Sequence, residues 1–302
     1  MRDFDVIGIG LSALDYLGIV DKYPPPADVK IQMSQFTRQG GGPVATALAT
    51  LSRLGIRTAF VGKMGDDEVG KLMKKHLAEE EVDVSQVVVE PGASSQPAFI
   101  IVDQATGSRT IFWSESKVSP LRASEMDREF VTSARILHLD GLQMEAGLAA
   151  ARWAKETDIT VVLDGDTMRP GIGELVKLTD VLIASRNFAA QFTGETDLER
   201  AIHAMRSQGP EIVGITLGDE GCILSWENKT LRRSALKVDV VDTTGAGDVF
   251  HGAFIYGLFK NWPMEKTAEF ANAVAAMKCR KLGGRAGIPT LDEAMKFLNV
   301  DG

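Results

Sequence analysis

Apolar runs rich in β-branched residues alternate with segments of helical apolar spacing along most of the chain. Residues 4–10, 58–62, 134–139, 160–164, 181–184 and 211–217 have the Val/Ile/Leu character of strands. Between them, 44–54, 69–80, 146–156, 174–178 and 198–207 carry helix-compatible spacing. Residues 245–260 and 264–281 predict two long helices rich in Ala, Phe and Val. Alternation of this kind predicts an α/β fold, a mostly parallel sheet covered by helices on both faces.

Two stretches break the alternation. Residues 13–38 are strand-like but interrupted by Pro24-Pro25-Pro26, which cannot lie inside a helix. Residues 96–113 read as two strands joined by a turn around Ala105-Thr106-Gly107. Neither is followed directly by a crossover helix. Both are therefore expected to form a small β lid on a single domain spanning 1–302. No internal repeat or low-complexity segment interrupts it.

Composition narrows the function classes. Of 302 residues, 44% are hydrophobic and 25% charged, which excludes wholesale disorder. A net charge of -8 leaves no bulk basic footprint for nucleic acid. Two cysteines, Cys222 and Cys279, make no disulfide scaffold and read as buried hydrophobes. No apolar run reaches membrane-spanning length, and the N-terminus lacks the apolar stretch of a signal peptide. The expectation is a cytoplasmic protein with neither nucleic acid nor membrane as partner.

Gly8-Ile9-Gly10-Leu11-Ser12-Ala13 follows a strand and fits the dinucleotide fingerprint with Ala in last place. That motif needs a helix straight after it, to meet a pyrophosphate with free N–H groups. Tyr16, Ile19, Val20 and three prolines follow instead, so a nicotinamide or flavin site is rejected. Asp15 remains as an acidic residue just beyond a strand end, where open α/β sheets bind ligands.

The chemistry concentrates in residues 238–252. A strand-like run ends at Asp242, Thr243 and Thr244 follow, and a small-residue turn of Gly245, Ala246 and Gly247 opens a helix. Such a turn lets backbone N–H groups approach an anion, and the helix dipole adds positive charge there. Asp248 sits in the first helical turn, placed to accept the proton of an incoming hydroxyl. An anion hole beside a base is the minimum apparatus for phosphoryl transfer to an alcohol. An Asp at this position would otherwise serve only to complement the dipole.

Asp242-Thr243-Thr244-Gly245-Ala246-Gly247-Asp248 closely resembles the C-terminal signature of the ribokinase-like (PfkB) carbohydrate kinases. Gly40-Gly41-Gly42-Pro43-Val44-Ala45-Thr46-Ala47 resembles the family's N-terminal signature, and further landmarks follow in order across nearly the whole chain. The resemblance implies a ribokinase-like fold and an ATP-dependent sugar kinase that uses Mg2+ and in many members K+. It implies that Asp248 is the general base and that Gly245, Ala246 and Gly247 stabilise the migrating phosphoryl group. Asp15, Gly41 and Gly42 would hold the sugar, with Thr46 where many members have an Asn. Ser185, Thr216, Gly218, Gly221 and Asn272 fall at nucleotide-site positions. Asp242, Thr244 and Gly283 would hold the monovalent cation. Closure of the lid should exclude water, and its exposed strand edges predict a homodimer.

Three features depart from the pattern or refine it. The family's Asn-x-x-Glu segment aligns with Ser185-Arg186-Asn187-Phe188, so its acidic member is missing; Asp164 and Asp166 are the candidate substitutes. The motifs are similar to a narrower branch that includes the sulfofructose kinases, for which Lys30 would be an anion contact. Yet Phe112, Trp113, Leu142 and Gln143 make the expected cleft look neutral. Trp113 is read as lid core or as a platform that stacks on a sugar or nucleoside. A nucleoside kinase and a non-catalytic sugar-binding relative are the alternative readings. His251 is expected to pack rather than act as a second base, and His138 to lie in the core.

Overall fold

The computed structural model describes residues 4–300. The chain opens with strands β1 (Val6–Ile9), β2 (Ala13–Val20) and β3 (Gln35–Gly41), then helix α1 (Pro43–Arg53). β4 (Thr58–Gly65), α2 (Glu68–Glu79), β5 (Val87–Glu90), β6 (Pro97–Asp103) and β7 (Arg109–Trp113) follow. The middle comprises α3 (Arg128–Val131), β8 (Ile136–Leu139), α4 (Met144–Lys155), β9 (Thr160–Gly165), α5 (Ile172–Lys177) and β10 (Val181–Ser185). Then come α6 (Arg186–Thr193), α7 (Leu198–Arg206), β11 (Ile212–Thr216), β12 (Cys222–Trp226) and β13 (Lys229–Arg233). Three helices close the chain: α8 (Ala246–Phe259), α9 (Met264–Lys278) and α10 (Leu291–Val300).

Nine strands form the main sheet in the order β13-β12-β11-β10-β9-β8-β1-β4-β5, parallel except for the β12–β13 edge. Successive residues of each inner strand feed opposite helical layers. Val6 belongs to the core that includes Leu48 of α1 and Phe254 of α8, whereas Ile7 belongs to the opposite core, with Ala146 and Ala150 of α4. Each such Leu or Phe, fully buried, contributes roughly 1.5–3 kcal/mol, so both faces need their helices. This is why the inner strands read as unbroken apolar runs and not as alternation.

The second sheet has the order β3-β2-β6-β7 and comprises the two stretches that broke the sequence pattern. β1 runs straight into β2, so no helix follows Gly10, as the rejection of the dinucleotide motif required. All these strands run parallel, but the order in which the chain adds them to the main sheet reverses between β1 and β8, since β4 and β5 lie on one side and β8 to β11 on the other. A crevice beyond the strand C-termini at such a switch point is where open sheets bind ligands. The lid sheet stands over that crevice. The architecture is the α/β sheet with helices on both faces and a small β lid that the sequence predicts.

Candidate functional site

A cleft of about 660 Å³ lies between the lid and the carboxyl ends of the main sheet. Asp15 of β2 lines one wall, and Gly245, Gly247 and Asp248, at the start of α8, line the floor. Gly42, Gln143 and Asp166 also face it. Residues more than two hundred positions apart are brought together because β2 and α8 both begin at the switch point.

One end of the cleft is built around Asp15, a residue only 7% exposed. A Cβ on Gly41 would lie 2.1 Å from Asp15 Oδ2, so glycine there lets the carboxylate lie flat against the neighbouring strand. Behind them Arg285 is buried, its Nη2 donating to the Gly41 carbonyl at 3.1 Å. Burial pushes the Asp15 carboxyl up to about 6; Arg285 opposes the rise and Asp242 adds to it.

At the other end, Gly245 takes φ 74°, and a Cβ there would meet Gly284 Cα at 2.9 Å. The glycine is required twice, by its left-handed backbone and by this close approach. Helix α8 makes its first i→i−4 bond from Val249 N to Gly245 O, at 2.9 Å. The amides of Gly247 and Asp248 precede that bond, and nothing lies within 4 Å of a Cβ built on Gly247. The turn therefore faces open space with N–H groups, as an anion hole must.

Asp248 is partly buried beside the turn. Loss of hydration pushes its carboxyl up to about 7; Asp164 and Asp166 add to the rise, and His251 and Arg109 oppose it. One helical turn along, His251 Nε2 lies 3.2 Å from Asp164 Oδ1. Burial favours neutrality in both, yet the pair's attraction wins: the His251 ring is held above its ordinary value and the Asp164 carboxyl below it. His251 is thus more than the packing residue expected; it holds Asp164. His138 lies in the core as anticipated, 0% exposed and stacked 5.8 Å from the His251 ring.

The nucleotide-site candidates lie along the same sheet edge. Ser185 and Thr216 are register partners on β10 and β11, and Thr216 pairs in turn with Cys222. Gly218 and Gly221 take φ 65° and 94° in the turn that follows Thr216. Asn272 is 6% exposed and spends its amide on the Arg233 and Ser234 carbonyls at 3.3 and 3.2 Å, bracing the end of β13.

Other expectations need correction. Lys30 is exposed on the connection between β2 and β3 and lies away from the cleft lining. Thr46 is 1% exposed and lies under Arg285, its Oγ1 3.5 Å from Arg285 Nε, so it supports the Asp15 end of the cleft from behind. Trp113 is 61% exposed and lines the cleft, which rules out lid core. The cleft is not neutral either, because Arg109 and Arg169 line it. Strand alternation explains Arg109: it shares the inner face of β7 with Ile111 and Trp113, while Phe112 points the other way. Its Nη1 donates to Thr243 Oγ1 at 2.8 Å, linking the lid to the segment that leads into the 245–247 turn. Its place on that strand face was the sequence signal; Arg285 gave none, because its partner is a distant carbonyl.

Among the described residues no cluster of three or more His, Cys, Asp or Glu side chains could hold a metal ion. Asp164 is engaged with His251, so of the two candidate substitutes for the missing acidic residue it is Asp166 that faces the cleft. That fits a magnesium ion carried in on nucleotide phosphates, with one protein carboxylate and water completing its shell. The monovalent-cation expectation fares differently. The structure does bring Asp242, Thr244 and Gly283 together, but as partners of one another. Asp242 Oδ1 accepts from Thr244 N and Thr244 Oγ1 at 2.8 and 2.7 Å, and Oδ2 accepts from Gly283 N at 2.7 Å. With these oxygens taken and a lysine ammonium bound to the Asp242 carbonyl at 2.8 Å, the residues do not fit an added ion.

The sequence profile described as pfkB family carbohydrate kinase matches residues 3–291. A ribokinase from Haemophilus influenzae is 28% identical over 295 residues, covering 90% of this chain and 95% of the relative. A nucleoside kinase from Methanothermobacter thermautotrophicus is 25% identical over 301 residues, covering 98% of this chain and 96% of the relative. The structure of Arabidopsis thaliana ribokinase complexed with ribose and ATP superposes with a TM-score of 0.84 at 24% identity, covering 98% of each chain.

Proposed function

Because the chain belongs to the pfkB family of carbohydrate kinases, an ATP-dependent phosphotransferase family, we propose that it transfers the γ-phosphoryl group of ATP to a primary hydroxyl of a small sugar or sugar derivative. The observation that carries this reading is the position of Asp248. It lies on the floor of the cleft, within the first turn of α8, between the Asp15 wall and the open amides of the turn.

Asp15 and the backbone around Gly41 and Gly42 orient the sugar so that one hydroxyl faces Asp248. The carboxylate takes that hydroxyl's proton as the oxygen–phosphorus bond forms and the bond to the leaving ADP oxygen breaks. Gly245, Ala246 and Gly247 stabilise the negative charge that builds on the migrating group. Ser185, Thr216, Gly218 and Gly221 line the nucleotide side, with Asn272 bracing the end of β13 beside them. Magnesium, when bound, neutralises the phosphate chain, and Asp166 would hold it. The lid, with Arg109 and Trp113 on its inner face, closes over the acceptor and keeps water out.

A nucleoside acceptor is the second reading, favoured by Trp113, an exposed indole over the cleft that suits stacking on a base. The deciding experiment is ADP release from MgATP across hexoses, ketoses, pentoses, sugar acids, sulfofructose and nucleosides, with Asp248→Asn as the blank. One strong sugar response upholds the proposal and a nucleoside response replaces it. Silence in the presence of bound ATP would favour a non-catalytic sugar-binding relative.

A further inference from the structure

Lys278, the last residue of α9, has a side chain 0% exposed, among the largest fully buried ones in the molecule. An ammonium so placed costs several kcal/mol of lost hydration, and an apolar side chain of the same length would pack as well. Its hydrogen bond runs to a backbone carbonyl, that of Asp242, at 2.8 Å. Burial lowers the affinity of the amine for its proton, while Asp242 and Asp248 oppose that loss.

The contact falls at the root of the phosphate-binding turn. Residues 234–245 form no strand, against the expectation of one ending at Asp242, but Asp242 N donates to Cys279 O at 3.1 Å, so this irregular segment and the end of α9 are tied by the backbone as well. From Asp242 the carboxylate fixes Thr244 on one side and Gly283 on the other. Gly245, next to Thr244, packs against Gly284, next to Gly283. Gly287 of the same closing loop sits so near Lys278 that a Cβ on it would lie 2.2 Å from the Lys278 carbonyl. One positive charge thus holds both loops that shape the anion hole.

We propose that the Lys278 ammonium is the resident cation of this turn: it supplies the charge and the fixed geometry that an added monovalent ion would otherwise supply, and the enzyme is independent of potassium. Lys278 is a positioning residue that acts through Asp242, and its role rests on the reading of the 245–248 turn as the phosphoryl site.

The test uses the full-length protein in potassium, ammonium and N-methyl-D-glucamine salts, reading MgADP affinity by calorimetry and the thermal midpoint Tm. Wild type is expected to give the same values in all three. Lys278→Ala opens a cavity and should lose about tenfold or more in MgADP affinity in the glucamine salt, the scale of a buried acceptor left unpaired. Potassium or ammonium should restore that affinity and raise its Tm, while leaving Lys278→Met, which fills the space without charge, unrestored. A wild type that needs potassium, or a Lys278→Met that binds MgADP normally, overturns the proposal. A wild type that binds no nucleotide in any salt would instead bring down the kinase reading. The Tm comparison then decides Lys278 alone: a cation-specific rise confined to Lys278→Ala upholds its role, and no rise overturns it.

Discussion

Asp248 shows how one residue's surroundings set its chemistry. A carboxylate in water is a weak base, whereas one with its pKa pushed up to about 7 is matched to taking a proton near neutral pH. The base works when ionised, so activity should be present above that value and lost as pH falls through it. We expect kcat/KM to fall about tenfold per pH unit below about 7; a limb near the ordinary Asp value would deny Asp248 the role. Asp248→Asn should keep nucleotide affinity and lower kcat at least about a hundredfold. Gly41→Ala acts at the other end of the cleft. Its Cβ would displace the Asp15 carboxylate, and a misplacement of that size costs up to about a hundredfold in kcat/KM for the acceptor. Calorimetry should find nucleotide binding unchanged, and a normal acceptor KM would free Asp15 of its assignment. These residues were legible in the sequence because their neighbours are small: a glycine turn before a helix announces itself locally. Lys278 and Arg285 were not legible, because each earns its meaning from a carbonyl brought near by the fold.

At the scale of elements, the inner strands and most helices followed from apolar pattern alone. The β12–β13 hairpin did not, since its outer strand, Lys229–Arg233, is polar and partly exposed and leaves no apolar signature. The lid strands were found as exceptions to the pattern, but their faces could not be assigned without register. Register decides the chemistry. It turns Arg109, Ile111 and Trp113 toward the cleft and Phe112 away, where a sequence reading saw only an apolar strand. Arg109 then joins two elements that move relative to one another if the lid opens, through its bond to Thr243. Arg109→Ala should lower kcat by about tenfold, the value of one charge-assisted hydrogen bond, with little change in Tm. Steady-state kinetics on that variant with a cognate acceptor checks it, and an unchanged kcat removes Arg109 from the transfer step.

The whole molecule presents one surface that a monomer leaves unexplained. The inner face of the lid packs on Leu282 and Val241, but its outer face carries Phe36, Phe99 and Phe112 at 64%, 53% and 49% exposure. Tyr16 stacks on Phe99 with ring centroids 5.1 Å apart, so the aromatic band is continuous across the central pair of strands. Soluble monomers rarely expose contiguous apolar patches of more than a few hundred Å². The strands β3 and β7 also leave the two edges of the lid sheet without partners in the sheet order. A second copy of the same face covers the aromatic band, because like patches meet face to face about a two-fold axis. Two lids locked in this way would also couple closure of one cleft to that of the other. Sedimentation velocity at micromolar concentration should therefore give a dimer. Phe99→Glu combined with Phe112→Glu should give a folded monomer, with its circular dichroism unchanged, because neither ring supports the core. A wild-type monomer at that concentration would leave the aromatic band needing a different partner.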